Sequence, residues 1–536
     1  MTRVTKTTPA GAATRALLAA WLAAGATRAQ TVHDLFLPAH NCAVCHSVAP
    51  GASAMRTATG DDVSPHGLWQ ATLMANSFRD PYFRAQMERE SAADAAVQEL
   101  CLRCHTPMAH HTAVRAGKPA PRLADVVADP LLADDGVSCT MCHQITAEGL
   151  GEPRTFSGRP VLGTERRMFG PFPDPATGPM RQHVNYTPTQ ALHVRSSALC
   201  ATCHTLTTEH QGTEFAEQTP YLEWRNSEFS DEHGDEHGAS ETSRTCQQCH
   251  MAATGATRIA RNPMGRDFLI PVRDGYAAHA FVGGNAFMLD LLRVHRDDLE
   301  VEASGADLAR MAAATRRQLA ERTATLAIEG SQLQDGVLSF VVRVQNQTGH
   351  KFPSGYPARR AWLHVQVRSG RDVVFESGGW DEAGRLVGVD GELGLPHPAL
   401  VESPAQVPVY EMVAEDPDGK PTTSLVRMVR KLKDTRLLPR GWRRDGPHAD
   451  VTAPVGTGND LDFVGGGDTV GYRIALPAGR GRLQIVAWLH YQPIPPAWVD
   501  ALRGEKGPAA TRFVTLYDGA DKAPETVAVT TATVGG

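Results

Sequence analysis

The sequence predicts a mainly α, loop-rich region followed by an all-β, sandwich-like region. Three observations carry this expectation. Five copies of Cys-x-x-Cys-His lie between Cys42 and His250. Gly and Pro are frequent in the connections between them, above all at 119–135 and 149–188, and such stretches form irregular chain. From about residue 323 the apolar residues alternate, as in Leu338, Phe340, Val342 and Val344, which is the period of a half-buried strand.

The five copies are Cys42-Ala43-Val44-Cys45-His46, Cys101-Leu102-Arg103-Cys104-His105, Cys139-Thr140-Met141-Cys142-His143, Cys200-Ala201-Thr202-Cys203-His204 and Cys246-Gln247-Gln248-Cys249-His250. This pattern is the attachment signature of c-type haem. Two thiols at this spacing reach the two vinyl groups of one porphyrin, and the following His sits under the iron. Cys is about 2 % and His about 4 % of the chain. Roughly 0.01 chance matches are therefore expected, against the five present. The motifs use all ten cysteines and leave none for a disulfide or a catalytic thiol. A zinc ribbon would need pairs of Cys-x-x-Cys elements without a His after every one. The expected cofactors are thus five c-type haems, with His46, His105, His143, His204 and His250 as proximal iron ligands. The motifs recur at irregular intervals, which excludes a solenoid.

Arg3, Lys6 and Arg15, then the apolar run Ala16–Ala24, read as a signal peptide over 1–29, cleaved after Ala29. The apolar run is too short to span a bilayer comfortably. An exported protein, periplasmic or extracellular, is expected, because c-type attachment takes place outside the cytoplasm. The net charge of −6 over 536 residues gives no argument for nucleic acid or an anionic membrane as partner.

Local signals fill in the elements. Ser64-Pro65 starts a helix carrying Leu68, Trp69, Thr72 and Leu73, and Asp80-Pro81 starts another that runs toward Cys101. Asn285 is an N-cap before Phe287, Met288, Leu291 and Leu292. Ser304 and Asp307 make a capping box before a helix that ends near Arg322. Beyond it, Asp335-Gly336 is a hairpin signal. Leu363, Val365 and Val367, then Leu483, Ile485, Ala487, Leu489 and Tyr491, alternate like Leu338–Val344, and Thr526–Thr530 is β-branched. Many short alternating strands suggest a β-sandwich over 323–536. The acidic run 231–243, with His233 and His237, reads as a solvated loop.

Six-coordinate haem mainly passes electrons, whereas five-coordinate haem binds small molecules. The second ligands therefore matter. His193 precedes the fourth motif on an expected helix. His279 lies in His279-Ala280-Phe281-Val282-Gly283-Gly284-Asn285, where glycines let backbone approach a porphyrin. One of His110 and His111, preferentially His111, follows the second motif. His66 starts the Trp69 helix, with Met74 as its competitor. His183 and His210 are reserves. His350 sits between Gly349 and a Pro-rich run, at the tip of a β-region loop expected to reach the haem region. The distal set is thus His66, His111, His193, His279 and His350.

Several stretches resemble exported bacterial multihaem cytochromes c, the loose superfamily of hydroxylamine-oxidising and nitrite-reducing multihaem enzymes. They are Leu68–Asn76, Gly136-Val137-Ser138-Cys139, Tyr221-Leu222-Glu223-Trp224, Cys249-His250-Met251, 279–285 and Thr348–Pro357. A subgroup joining a haem domain to a C-terminal β domain matches more closely. The resemblance implies a pentahaem cytochrome c domain at 30–322, a β-sandwich-like domain at 323–536, and an electron carrier. Two departures stand. The nitrite-reducing enzymes use Lys at the catalytic haem, and all five motifs here end in His. The hydroxylamine-oxidising enzymes have more motifs and a crosslinked Tyr that nothing here identifies.

Three functions compete at this point. The first is electron transfer with redox partner proteins, either other cytochromes or a quinol-linked membrane complex, with no catalytic residue of its own. The second is an oxidoreductase with one open haem acting on a nitrogen or sulfur oxyanion. The third is a filament subunit that self-associates, a His of the next chain completing a haem.

Overall fold

The structure is a computed structural model describing Met1 and residues 35–210, 212–232, 240–458, 460–477 and 481–535. The expected signal peptide, and His233 and His237, lie outside the described residues, as does the side chain of His210. Among the described residues no helix is long and apolar enough to cross a membrane.

Every motif falls on or at the end of a short helix: His40–His46, Val97–His105, Cys139–Cys142, Ser197–Ala201 and Cys246–His250. Helical geometry puts the two cysteines, three residues apart, on one face, with the His beside the first. Local caps start the longer helices where expected. Asp80 accepts from the backbone N–H of Tyr82 and Phe83 and opens Pro81–Ala93. Asn285 opens Ala286–Val294, and Ser304 opens Gly305–Arg322. The Trp69 helix is shorter than its apolar face suggests: it covers Pro65–Trp69 and gives way to turns. The Thr72 hydroxyl donates to the Trp69 carbonyl at 2.7 Å, a side-chain bond that competes with helix continuation. Met74 consequently lies in a turn. His193 lies on a 3-10 turn, Leu192–Arg195, and not on a helix continuous with the fourth motif, because Ser196 caps a new helix there.

From Ala324 onward two sheets face each other. One has four strands in the order Ala324–Gln334, Val337–Asn346, Gly467–Ala475 and Leu400–Val401. The other has seven, with Arg360–Ser369 between Val409–Glu415 and Leu483–Gln492, and Glu525–Val534 beyond the last. Leu338, Phe340, Val342 and Val344 of the first sheet share one core with Leu363, Val365, Ile485 and Leu489 of the second. Burying each such side chain is worth about 1.5–3 kcal/mol. The 323–536 region is not all β, however. Helices Pro496–Arg503 and Pro508–Gly519 follow strand Leu483–Gln492 and pack on helix Pro81–Ala93. Val499, Leu502, Phe513 and Tyr517 join Tyr82, Ala85, Met288 and Leu292 in a second core. The helical and β regions are thereby held together by shared apolar burial. Short strand pairs also occur among the helices, Arg167–Gly170 with Thr187–Gln190 and Leu206–His210 with Thr213–Gln218.

Candidate cofactor site

None of the ten motif cysteines forms a disulfide. They are not arranged as zinc sites: among the described residues, the one group of three converging His, Cys, Asp or Glu donors contains no cysteine. The thiols meet across motifs instead. Cys42 lies beside Cys139, Cys104 beside Cys203, and Cys200 beside Cys246. Cys142 also lies within electrostatic reach of Cys203. The first motif thus adjoins the third, the third the fourth, and the fourth both the second and the fifth.

Backbone carbonyls orient four of the motif imidazoles. The Nδ1–H groups donate from His46 to Ile259 at 2.9 Å and from His105 to Ser77 at 3.0 Å. Those of His143 and His250 donate to Phe169 and Val282, both at 2.6 Å. A carbonyl only accepts, so each ring keeps its proton on Nδ1 and presents Nε2 as a bare donor, the tautomer of a metal-ligating His. Burial lowers the pKa of His46 and His143, and takes His105 and His204 down to about 4. These rings stay neutral, as an iron ligand requires. Phe83 stacks on His105 with ring centres 3.6 Å apart.

Two motif imidazoles face a second His. The ring centres of His143 and His279 are 6.1 Å apart with planes 17° from parallel. Those of His250 and His350 are 6.2 Å apart and 7° from parallel. An atom between two imidazoles, with metal–nitrogen bonds of about 2 Å, would put the ring centres about 6 Å apart. His279 and His350 also donate Nδ1–H to carbonyls, of Ala277 at 2.9 Å and Lys351 at 2.8 Å, and so present Nε2. The residues fit haem iron on this evidence.

The other expected distal ligands are placed differently. His66 lies beside the first motif, its Nδ1 3.3 Å from Oγ of Ser47. His111 keeps Nε2 buried without a hydrogen-bond partner, as does His110 with both ring nitrogens. His111 neighbours the Gly158 backbone, where an added Cβ would come within 3.1 Å of Cys104 Sγ. His193 uses Nε2 on the Ile145 carbonyl at 2.8 Å, which leaves Nδ1 as its open nitrogen. His183 is exposed.

A loop from the β region brings His350 against the fifth motif. The His350 carbonyl accepts from Asn346 Nδ2 at 2.9 Å and Thr348 Oγ1 at 2.7 Å. Lys351 N–H and Ser354 Oγ–H both donate to Glu223 of helix Pro220–Arg225, at 3.1 and 2.6 Å. A Cβ on Gly349 would press on Trp224 at 3.1 Å. Below the loop lies a buried ion network that the sequence reading did not anticipate: Lys351 on Asp434 at 2.7 Å, Lys431 on Asp434 at 3.1 Å, and Arg436 on both Asp434 and Glu223.

Helices carrying five Cys-x-x-Cys-His motifs, joined to a β-sandwich, define the class: a multihaem cytochrome c fold. Among solved structures, the chain is similar to a penta-heme cytochrome c552 from Thermochromatium tepidum, with a TM-score of 0.51 and 15% identity, over 93% of this chain and 99% of that one. No protein-family model and no curated protein sequence matches this chain.

Proposed function

We propose that this chain is an exported multihaem c-type cytochrome that passes electrons through five haems attached at its five motifs. The observation that carries this reading is the facing of His143 with His279 and of His250 with His350 across the width of one iron. Bound haem supplies one-electron iron chemistry. An iron held by two such imidazoles would have no place left for a substrate, which favours electron transfer. Carbonyl-bonded Nδ1–H groups make the ligands more basic and favour low potentials. The neighbouring cysteines support a relay order of first, third, fourth, fifth, with the second branching at the fourth. His66, His111 and, through Nδ1, His193 are proposed as further distal ligands. Redox partners are other cytochromes or a quinol-linked membrane complex, reached in the periplasm or outside the cell.

Intact mass of the matured protein under denaturing conditions tests the count. It should exceed the chain from Gln30 by five haem masses, and a shortfall of one or more in fully matured protein would overturn it. His279→Ala should turn one haem high-spin while all five stay attached, since the thioethers are untouched. A low-spin spectrum identical to wild type would remove His279 from the ligand set.

A further inference from the structure

A second cluster of ligand-type side chains lies in the β region and plays no part in the function proposed above. His397 precedes strand Leu400–Val401, Asp460 lies in the loop before strand Gly467–Ala475, and Asp468 is on that strand. One donor atom from each lies within 4.8 Å of the others. His397 Nε2 is 3.2 Å from Asp460 Oδ2 and 3.5 Å from Asp468 Oδ2. The three side chains are 0 %, 3 % and 0 % exposed.

Their charges do not balance. The nearby cation Lys433 is committed to Glu411 at 2.9 Å. Tyr410 donates its hydroxyl to Asp468 Oδ2 at 2.8 Å, and the backbone N–H groups of Asp462 and Thr469 donate to Asp460 and Asp468. These are neutral donors. His397 Nδ1 is buried without a hydrogen-bond partner. Two buried carboxylates sharing one imidazole are costly without a counter-charge.

A dication repairs the balance, and the geometry accepts one. Donors bound at about 2.1 Å and near-tetrahedral angles lie about 3.4 Å apart, close to the two observed spacings. One imidazole nitrogen and two carboxylate oxygens suit zinc or a similar first-row ion, whereas calcium takes six to eight oxygen ligands.

We propose that His397, Asp460 and Asp468 form a site for one divalent first-row cation, zinc fitting best, that ties the 397 and 460 loops to the edge of the sandwich. The test uses the haem-loaded protein, stripped with a chelator and titrated with zinc chloride. Wild type should take up one saturable zinc per chain, counted by elemental analysis beside the haem iron, and its unfolding midpoint should rise. Asp468→Asn and His397→Gln should each weaken uptake by at least about 100-fold with the haem spectrum unchanged. If either variant fails to fold, Asp460→Asn and the wild-type zinc-dependent midpoint decide the matter. No zinc uptake by wild type, uptake unaltered in the variants, or equal stabilisation by calcium chloride would overturn the site.

Discussion

His350→Ala is expected to convert one haem of the five to a high-spin, five-coordinate form and to loosen the junction between the helical and β regions. The first effect follows from the ring of His350 standing parallel to His250 at 6.2 Å, with its Nδ1 proton committed to a carbonyl and its Nε2 free. Alanine removes that nitrogen and leaves the fifth motif intact, so the haem stays and only its spin state changes. The remaining ligand field is weaker, and the potential of that haem should rise. The second effect follows from the loop being fixed at both ends of the residue. Asn346 and Thr348 hold the His350 carbonyl, and Glu223 holds Lys351 and Ser354. With His350 as the proposed iron ligand, its loss removes the central attachment, and limited proteolysis near Arg322 should become faster. Gly349→Ala is the control. It presses on Trp224 and disturbs packing while keeping the imidazole, so it should speed proteolysis without creating the high-spin signal. A His350→Ala protein with a wild-type haem spectrum would return the loop to a purely structural role.

The five motifs and their short helices were legible because they are local: a thiol pair and an imidazole within five residues need only one turn of helix. Helix starts at Asp80, Asn285 and Ser304 were legible for the same reason, since a cap bonds within three residues. The carbonyls that orient the proximal rings were not, because Ile259 is 213 residues from His46 and nothing in composition marks an acceptor at that distance. The neighbourhood of the motifs belongs to the same class. Cys42 meets Cys139 and passes over the motif between them, a consequence of chain path alone. The two helices after residue 495 were missed although a signal existed. Pro496 and Pro508 each stand at a first helical position, and Trp498, Val499 and Leu502 make an apolar face. Strands on either side drew the β reading across them. His193 illustrates the converse error: its nearness to the fourth motif suggested a helix that Ser196 terminates.

Asp434→Asn is expected to destabilise the protein by about 3–5 kcal/mol, the usual cost of removing one partner from a buried ion network. Asp434 faces Lys351, Lys431 and Arg436, and both it and Lys351 are fully buried. Burial pushes its carboxyl up, but Arg436, Lys351 and Lys431 outweigh this and hold it well below the ordinary value. The neutral amide would leave three cations with Glu223 alone among the carboxylates of this network. Lys351→Met should cost much less. Burial already disfavours its ammonium and takes its pKa down to about 7, since the one carboxylate it meets is shared with two other cations. The two residues also separate by pH. Asp434 is depressed when folded, so its contribution is complete above the ordinary value of 3.8 and is lost as pH falls through the folded pKa. Lys351 is depressed from 10.5, so between about 7 and 10.5 the unfolded chain binds the extra proton and stability rises with pH. Denaturant midpoints measured across that window should climb in wild type and stay flatter in Lys351→Met. Equal losses in the two variants, or identical slopes, would mean that the network under the His350 loop carries no more than ordinary packing.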